Sequence, residues 1–280
     1  MSVSVPLRLR PLEIGDLLDE TFRMYRRHFL LFAAIAVILA IPSAALYGLA
    51  LAWFSTGLQA TSDTSSVGPV LGFMGAIGAA GLVSFVFLPF SHSAIIYAAC
   101  ESAIGRPVTA GGVLMGVLRR YFPLLGYWVL FNTLTAEIAV LLCIAPFILW
   151  IWAFVMWVAV VPAMFVENIG FGAAIGRSRQ LVQGRWWRTF LILFLTYVLY
   201  FVLSIALGGF INIAQGLLEL VVSQFIAGAI AITSSQVIAA LLAPVAQIVF
   251  VLIYFDLRVR REALDLFQMA YRLSSAQAAT

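Results

Sequence analysis

Every basic side chain in this 280-residue sequence is an arginine, and the sixteen arginines gather into four clusters, at 8–27, 106–120, 177–188 and 258–272. The intervals between the clusters contain no basic residue and are apolar for most of their length. Membrane proteins concentrate Lys and Arg in the loops that stay on the cytoplasmic side. Four basic clusters separated by three nearly uncharged excursions therefore describe a chain that returns repeatedly to one face of a bilayer. With 64% hydrophobic and 10% charged residues, the chain cannot be an ordinary soluble domain of this length, and lipid must solvate most of its surface.

A hydrocarbon core about 30 Å thick takes roughly 20 apolar residues of helix. Six stretches are expected as transmembrane helices: 29–54, 70–99, 121–142, 147–166, 187–207 and 237–255. The connection 55–66 carries only Asp63 as a charge and is placed outside. Residues 143–146 form a tight outer turn, and Pro146 suits the first turn of the following helix, where its missing N–H has no partner to lose. The expected fold is thus a single all-α membrane domain, with residues 1–28 as a cytoplasmic amphipathic segment, 262–280 as a cytoplasmic tail and both termini on the arginine-rich side. The polar residues Asn212, Gln215, Glu219 and Ser223 recur at helical spacing, which suits an interfacial helix over 210–232 better than a seventh span. A seventh span would also place Arg258, Arg260, Arg261 and Arg272 outside. No cleaved signal is expected, because a charged segment precedes a first apolar run too long for a signal sequence. Cys100 and Cys143 fall at opposite ends of their helices, too far apart for a disulfide.

The junctions leading into the odd-numbered spans resemble one another: Arg26-Arg27-His28-Phe29, Arg119-Arg120-Tyr121-Phe122 and Arg185-Trp186-Trp187-Arg188. Each span is expected to follow a cytoplasmic amphipathic segment. In the first, Ile14, Leu17, Leu18, Thr21, Phe22, Tyr25 and Phe29 share one helical face. Its acids come early, its arginines late, and Asp19 stands four residues before Arg23, all favourable to the helix dipole. Pro89, His92 and Glu101 have the same spacing as Pro244, Gln247 and Asp256. These correspondences describe three copies of a short helix followed by a hairpin, arranged about a pseudo-threefold axis.

Three signatures carry a family resemblance. The first is Arg10-Pro11-Leu12-Glu13-Ile14-Gly15-Asp16-Leu17-Leu18-Asp19, followed by Phe22-Arg23-Met24-Tyr25-Arg26-Arg27. The second combines Glu167, Ala173-Ala174, Arg177-Ser178, Leu181-Val182 and Gly184-Arg185-Trp186-Trp187-Arg188. The third is Tyr254-Phe255-Asp256-Leu257-Arg258-Val259-Arg260-Arg261-Glu262. Together they resemble the bacterial glycerophosphoryl diester phosphodiesterase membrane domain family. The resemblance implies a stand-alone bacterial membrane region. It does not imply a phosphodiesterase, since that activity resides in a fused barrel needing clustered His and acidic residues, and this sequence has only His28 and His92.

An ionised acid at mid-bilayer is costly, so Glu137, with Asn132, Thr133 and Thr135 nearby, should face the bundle interior or hydrated headgroups. His92 is read as satisfying backbone freed by Pro89, with a proton relay as the alternative. Asn132, Glu137, Glu219, His92 and Gln247 together make a candidate polar cavity. Glu101, Glu167 and Asp256, each at the cytoplasmic end of a returning helix, are expected to pair with Arg106, Arg177 and Arg258 as a structural belt. Arg26, Arg27, Arg119, Arg120, Arg185 and Arg188 are candidate contacts for anionic phospholipid headgroups or a protein partner.

The sequence has no Walker loop, His-Glu-x-x-His, paired cysteines at zinc spacing or G-x-S-x-G elbow. No cofactor, metal site or nucleic-acid contact is expected. The expectation is a non-enzymatic, multi-pass protein of the bacterial cytoplasmic membrane with a scaffold, accessory or lipid-binding role. The alternative is a small transporter or lipid translocator using the cavity near Glu137.

Overall fold

Long apolar runs with no turn signal continue as helix, and that sets the architecture. The structure, a computed structural model, describes residues 13–38, 40–42, 44–45, 67–140 and 144–262. Among these residues all regular structure is α-helical: α1 (Ile14–Arg27), α2 (Phe29–Pro42), α3 (Val67–Ile104), α4 (Ala110–Leu118), α5 (Tyr121–Val140), α6 (Ile144–Met156), α7 (Val160–Val166), α8 (Phe171–Val182), α9 (Trp186–Leu218) and α10 (Gln224–Glu262). Four segments are long and apolar enough to cross a membrane: Gly81–Ile104 in α3, Leu149–Val166 across α6 and α7, Trp186–Leu218, and Ile226–Glu262 in α10. A fifth is added if α1 and α2, broken at His28, act together. The fold is all-α, with helices of the length and polarity of a membrane-embedded protein.

Several expected boundaries move. The stretch 210–232 is not a separate helix: its first part extends α9, its last part opens α10, and the chain turns between them at 219–223. Polar residues at helical spacing are as compatible with a longer helix as with a new one, and nothing before Glu219 stops α9. At 1.5 Å per residue the 33 residues of α9 reach roughly 50 Å, well beyond a hydrocarbon core of about 30 Å. The expected outer turn at 143–146 is also displaced, since α6 already begins at Ile144 with Pro146 in its first turn; Cys143 lies outside the described residues.

The expected single helix over 147–166 is broken at 157–159, between α6 and α7. Pro162 has no N–H to offer the carbonyl of Val158, and its ring crowds that carbonyl, which favours a break in the turn before it. The buried hydroxyl of Ser178 fills the gap, donating to the Met156 carbonyl (2.7 Å) and accepting from the Ala159 N–H (3.2 Å). By contrast, α3 and α10 run through Pro89 and Pro244.

Short helices precede α2, α5 and α9. Helix α1 buries Leu17, Thr21 and Met24. Met24 is outside the face read from the sequence, whereas Phe29, assigned to that face, is exposed. Arg23 pairs with Glu20 at 3.0 Å rather than with Asp19. Helix α4 opens on Thr109, whose hydroxyl accepts from the Gly112 N–H, and buries Val113 and Val117. Helix α8 buries Ala174, Ser178, Leu181 and Val182.

Two glycines end helices where a side chain would be strained. Gly105 (φ 84°) closes α3, with its own N–H bonded to the Ser102 carbonyl and the Arg106 N–H to that of Glu101, the paired pattern of a left-handed helix end. Gly184 (φ 87°) is the third residue of a turn in which the Arg185 N–H reaches the Val182 carbonyl, a geometry that requires a positive φ.

The chain divides into two compact units. One comprises 1–29, 93–197 and 245–280, the other 30–92 and 198–244. The first has the larger described core, with Ile95, Ile96, Leu124, Met164, Leu181, Ile192 and the α10 run from Ile248 to Ile253 buried. The Phe154 ring meets Phe131, Trp150, Tyr197 and Phe250 at centroid distances of 5.6–6.1 Å, joining α5, α6, α9 and α10. Aromatic pairs contribute about 0.5–1.5 kcal/mol each beyond their area. In the second unit Phe32, Ile35 and Ala36 of α2 are buried, as are Ala227 and Ala231 of α10.

Candidate functional site

The charged site of the first unit is assembled from the last turns of α10, the end of α7, helix α8 and the start of α9. Four-residue spacing along α10 stacks Tyr254, Arg258 and Glu262 on one ridge and Asp256 and Arg260 on another. Helix α7 ends at Glu167, where a carboxylate opposes the helix dipole and needs nearby cations.

Those cations close a ring of five side chains. Arg177 Nε donates to both Glu167 oxygens at 2.9 Å, and its Nη2 donates to Glu262. Arg258 Nε donates to Glu262 at 2.9 Å, and its Nη1 donates to the Tyr254 hydroxyl at 3.0 Å. That hydroxyl donates in turn to Glu167 at 2.9 Å, so each link leads back to the first. Two guanidiniums face two carboxylates, the charged side chains are 18–28% exposed, and Tyr254 is fully buried. Burial works against the charge on Arg177, but its bonds to Glu262 and Glu167 outweigh this and hold its pKa above the usual guanidinium value.

Beside the ring, the Asp256 carboxylate, 2% exposed, accepts from Arg260 Nε (2.9 and 3.0 Å) and from Arg188 Nη2 (3.4 Å). Arg185 Nη2 reaches the Arg260 carbonyl at 3.3 Å. Arg261 donates to the carbonyls of Gln180 and, at 2.9 Å, Gln183, capping the end of α8. Arg120 does the same past α7, donating to the carbonyls of Met164 and Ile169.

The acids and arginines singled out in the sequence are thus partly regrouped. Glu167 pairs with Arg177, and Glu101 with Arg106 at 3.3 Å, the latter with Arg106 65% exposed. Asp256 does not pair with Arg258: its partners are Arg260 and Arg188, while Arg258 turns to Glu262, with Glu167 at 3.7 Å. Side chains on one helix face lie four residues apart, and Arg258 is only two from Asp256. Of the six arginines expected to contact lipid, Arg120, Arg185 and Arg188 are engaged with the protein, whereas Arg26, Arg27 and Arg119 are exposed.

The residues of the candidate cavity fall in both units. Asn132 and Gln247 belong to the first unit, His92 and Glu219 to the second. Asn132 donates to the Trp128 carbonyl of its own helix (2.8 Å), and exposed Glu219 accepts from Gln215 (2.9 Å). Gln247 is buried. Glu137 falls on α5, but its side chain is outside the described residues. Among the described residues no three His, Cys, Asp or Glu side chains group as a metal site.

Sequence reasoning missed Tyr254, Glu262 and Arg260 as members of the site, although their four-residue spacings were visible. It also missed the link between Ser102 Oγ and His28 Nε2 (2.9 Å) at the break after α1. Chemically, the arrangement braces helix ends. No family model, curated protein or solved structure matches the chain.

Proposed function

We propose that the chain is a non-enzymatic, multi-pass protein of the bacterial cytoplasmic membrane. On this reading its arginine-rich cytoplasmic face is a scaffold that locks helix ends together and attracts anionic phospholipid. The six spans, the threefold hairpin arrangement, the cytoplasmic termini and kinship with the glycerophosphoryl diester phosphodiesterase membrane domain family belong to the same proposal. The observation that carries it is the closed ring of Glu167, Arg177, Tyr254, Arg258 and Glu262 at the ends of apolar helices. Such a ring uses its charges internally as a brace, while Arg26, Arg27 and Arg119 are exposed and are the arginines proposed to meet headgroups. The short helices α1, α4 and α8, each preceding a longer helix, support the hairpin arrangement.

The test is lipid enrichment around the protein in nanodiscs of mixed phosphatidylcholine and phosphatidylglycerol. Arginines near a membrane surface contribute about 1 kcal/mol each toward anionic lipid. Substituting Arg26, Arg27 and Arg119 together with Gln is expected to abolish phosphatidylglycerol enrichment. Equal enrichment in wild type and the triple variant, or none in the wild type, refutes the lipid-attracting role.

A further inference from the structure

The three short helices α1, α4 and α8 differ in what they expose. The outer face of α1 carries Asp16, Asp19, Arg23 and Arg26, and that of α8 carries Gly172, Gly176, Arg179 and Gln180. Helix α4 instead exposes Leu114, Met115 (54%) and Leu118 (59%), and exposed Phe122 follows at the start of α5. Its inner face, with Val113 and Val117, is buried, and residues 107–118 include no charged side chain. A helix that is apolar on both faces needs cover on both. At 1.5 Å per residue the nine residues of α4 reach roughly 14 Å, far short of a hydrocarbon core of about 30 Å. It is too short to span, so the cover must lie alongside it.

Packing sets the depth of α4. Gly116 lies against the Tyr97 ring, where a Cβ would come within 2.8 Å, and Tyr97 meets Phe165 at 4.9 Å. Tyr97 stands one turn before Glu101 on α3, and Phe165 two residues before Glu167 on α7. Both are thus about 3–6 Å further from the arginine-rich end than the acids that pair with Arg106 and Arg177. Helical side chains lean toward the N-terminus of their helix, which carries both rings deeper still. Helix α4 is therefore held on the apolar side of the charged pairs, beside the last apolar turns of α3 and α7. That offset matches the roughly 5–10 Å by which an interfacial helix sinks its apolar face below the headgroups.

Charge and continuity point to lipid as the cover. Arg106 precedes α4 and Arg119 follows it, both exposed, and long arginine side chains reach up to headgroups while the face between them sinks among acyl chains. The exposed stripe also runs on into α5 through Phe122, Val129 and Leu130. We propose that α4 is an in-plane membrane anchor, with Leu114, Met115 and Leu118 inserted at the acyl boundary of the leaflet on the arginine-rich side and Arg106 and Arg119 at its headgroups. The anchor rests on the lipid-facing role of this side proposed above and names the element that enters the bilayer.

The full chain carrying Cys143→Ser, which leaves only the buried Cys100, provides the test. An environment-sensitive NBD label is attached at Met115→Cys, at Leu118→Cys or, as an aqueous reference, at Asp19→Cys, all exposed positions. Each protein is placed in nanodiscs of phosphatidylcholine and phosphatidylglycerol, one chain per disc. Emission from the labels at 115 and 118 is expected to shift to the blue of that at 19, to be quenched by lipid brominated on its acyl chains, and to lose quenching by aqueous iodide. Iodide quenching at 115 and 118 equal to that at 19 overturns the anchor. So does a blue shift that brominated lipid leaves unquenched, or one that arises only in discs holding two chains, which identifies a second copy as the cover. If the triple substitution of Arg26, Arg27 and Arg119 abolishes phosphatidylglycerol enrichment while both labels stay open to iodide, the anchor is refuted and the broader lipid role stands. Lipid-quenched labels without phosphatidylglycerol enrichment sustain the anchor and refute the attraction of anionic lipid.

Discussion

Glu167→Gln isolates the charge that closes the ring. The carboxylate receives Arg177 Nε on both oxygens and the Tyr254 hydroxyl, all at 2.9 Å, with Arg258 Nε at 3.7 Å. Glutamine keeps one acceptor oxygen and turns an NH2 toward a donor, so at least one charge-assisted bond is lost, worth about 1.5–3 kcal/mol. Removing one partner of a fully buried pair costs about 3–5 kcal/mol, whereas an exposed pair is worth about 0–1 kcal/mol. With Glu167 18% and Arg177 24% exposed, the site lies nearer the buried limit but is partly screened, and about 2–3 kcal/mol is expected. Glu101→Gln is the internal control: its partner Arg106 is 65% exposed, so the loss should stay below about 1 kcal/mol. Loss of helical signal as the mole fraction of SDS rises in mixed micelles measures both. A double-mutant cycle of Glu167→Gln with Arg177→Gln should show coupling of about 1.5–3 kcal/mol. If both single variants fall within about 0.5 kcal/mol of wild type, as unremarkable surface substitutions do, the ring is not a brace and the reasoning fails.

Two further predictions concern the elements that place the ring. Ser178→Ala removes the hydroxyl that serves the Met156 carbonyl and the Ala159 N–H across the α6–α7 break; the same SDS titration should show a loss of about 1–3 kcal/mol, and an unchanged midpoint would mean that the hydroxyl does not support the break. In α4, a Cβ at Gly116 would come within 2.8 Å of the Tyr97 ring, which is held edge-on against Phe165 at 4.9 Å. Gly116→Ala is therefore expected to destabilise by about 1–3 kcal/mol, while Gly111→Ala, with open space around it, should stabilise by up to about 1 kcal/mol through helix propensity. Opposite signs in one short helix separate packing from propensity; two stabilised variants would show that Tyr97 can retreat.

What could be read from residues alone was what local chemistry dictates. Helices over the apolar intervals and short helices before α2, α5 and α9 follow from hydropathy and periodicity, which act within a few turns of chain. The ends of α9 and α10 were not legible, because Asn212, Gln215 and Glu219 fit the continuing helix as well as a separate one. Nor was the break at 157–159: a proline two residues into α7 is an ordinary sight, and the hydroxyl that supports the break comes from Ser178 on another helix. The ring divides in the same way. Its α10 ridge is written in four-residue steps, but the approach of Arg177 to Glu262, eighty-five residues apart, is decided by packing that no local pattern encodes.

The choice of arginine at every basic position is better explained by this belt than by topology. A cytoplasmic bias needs only positive charge, and lysine would supply it equally well. Lysine offers a compact ammonium, whereas a guanidinium spreads five donors over a rigid plane and can serve two partners at once. That is how several of these side chains are used: Arg177 holds Glu167 and Glu262, Arg258 holds Glu262 and Tyr254, Arg120 holds the carbonyls of Met164 and Ile169, and Arg261 those of Gln180 and Gln183. In each case one guanidinium ties together two points of the chain that would otherwise need separate partners. Positive charge alone would orient the chain; the planar, many-donor form of that charge is what lets four side chains fasten the ends of α7, α8 and α10.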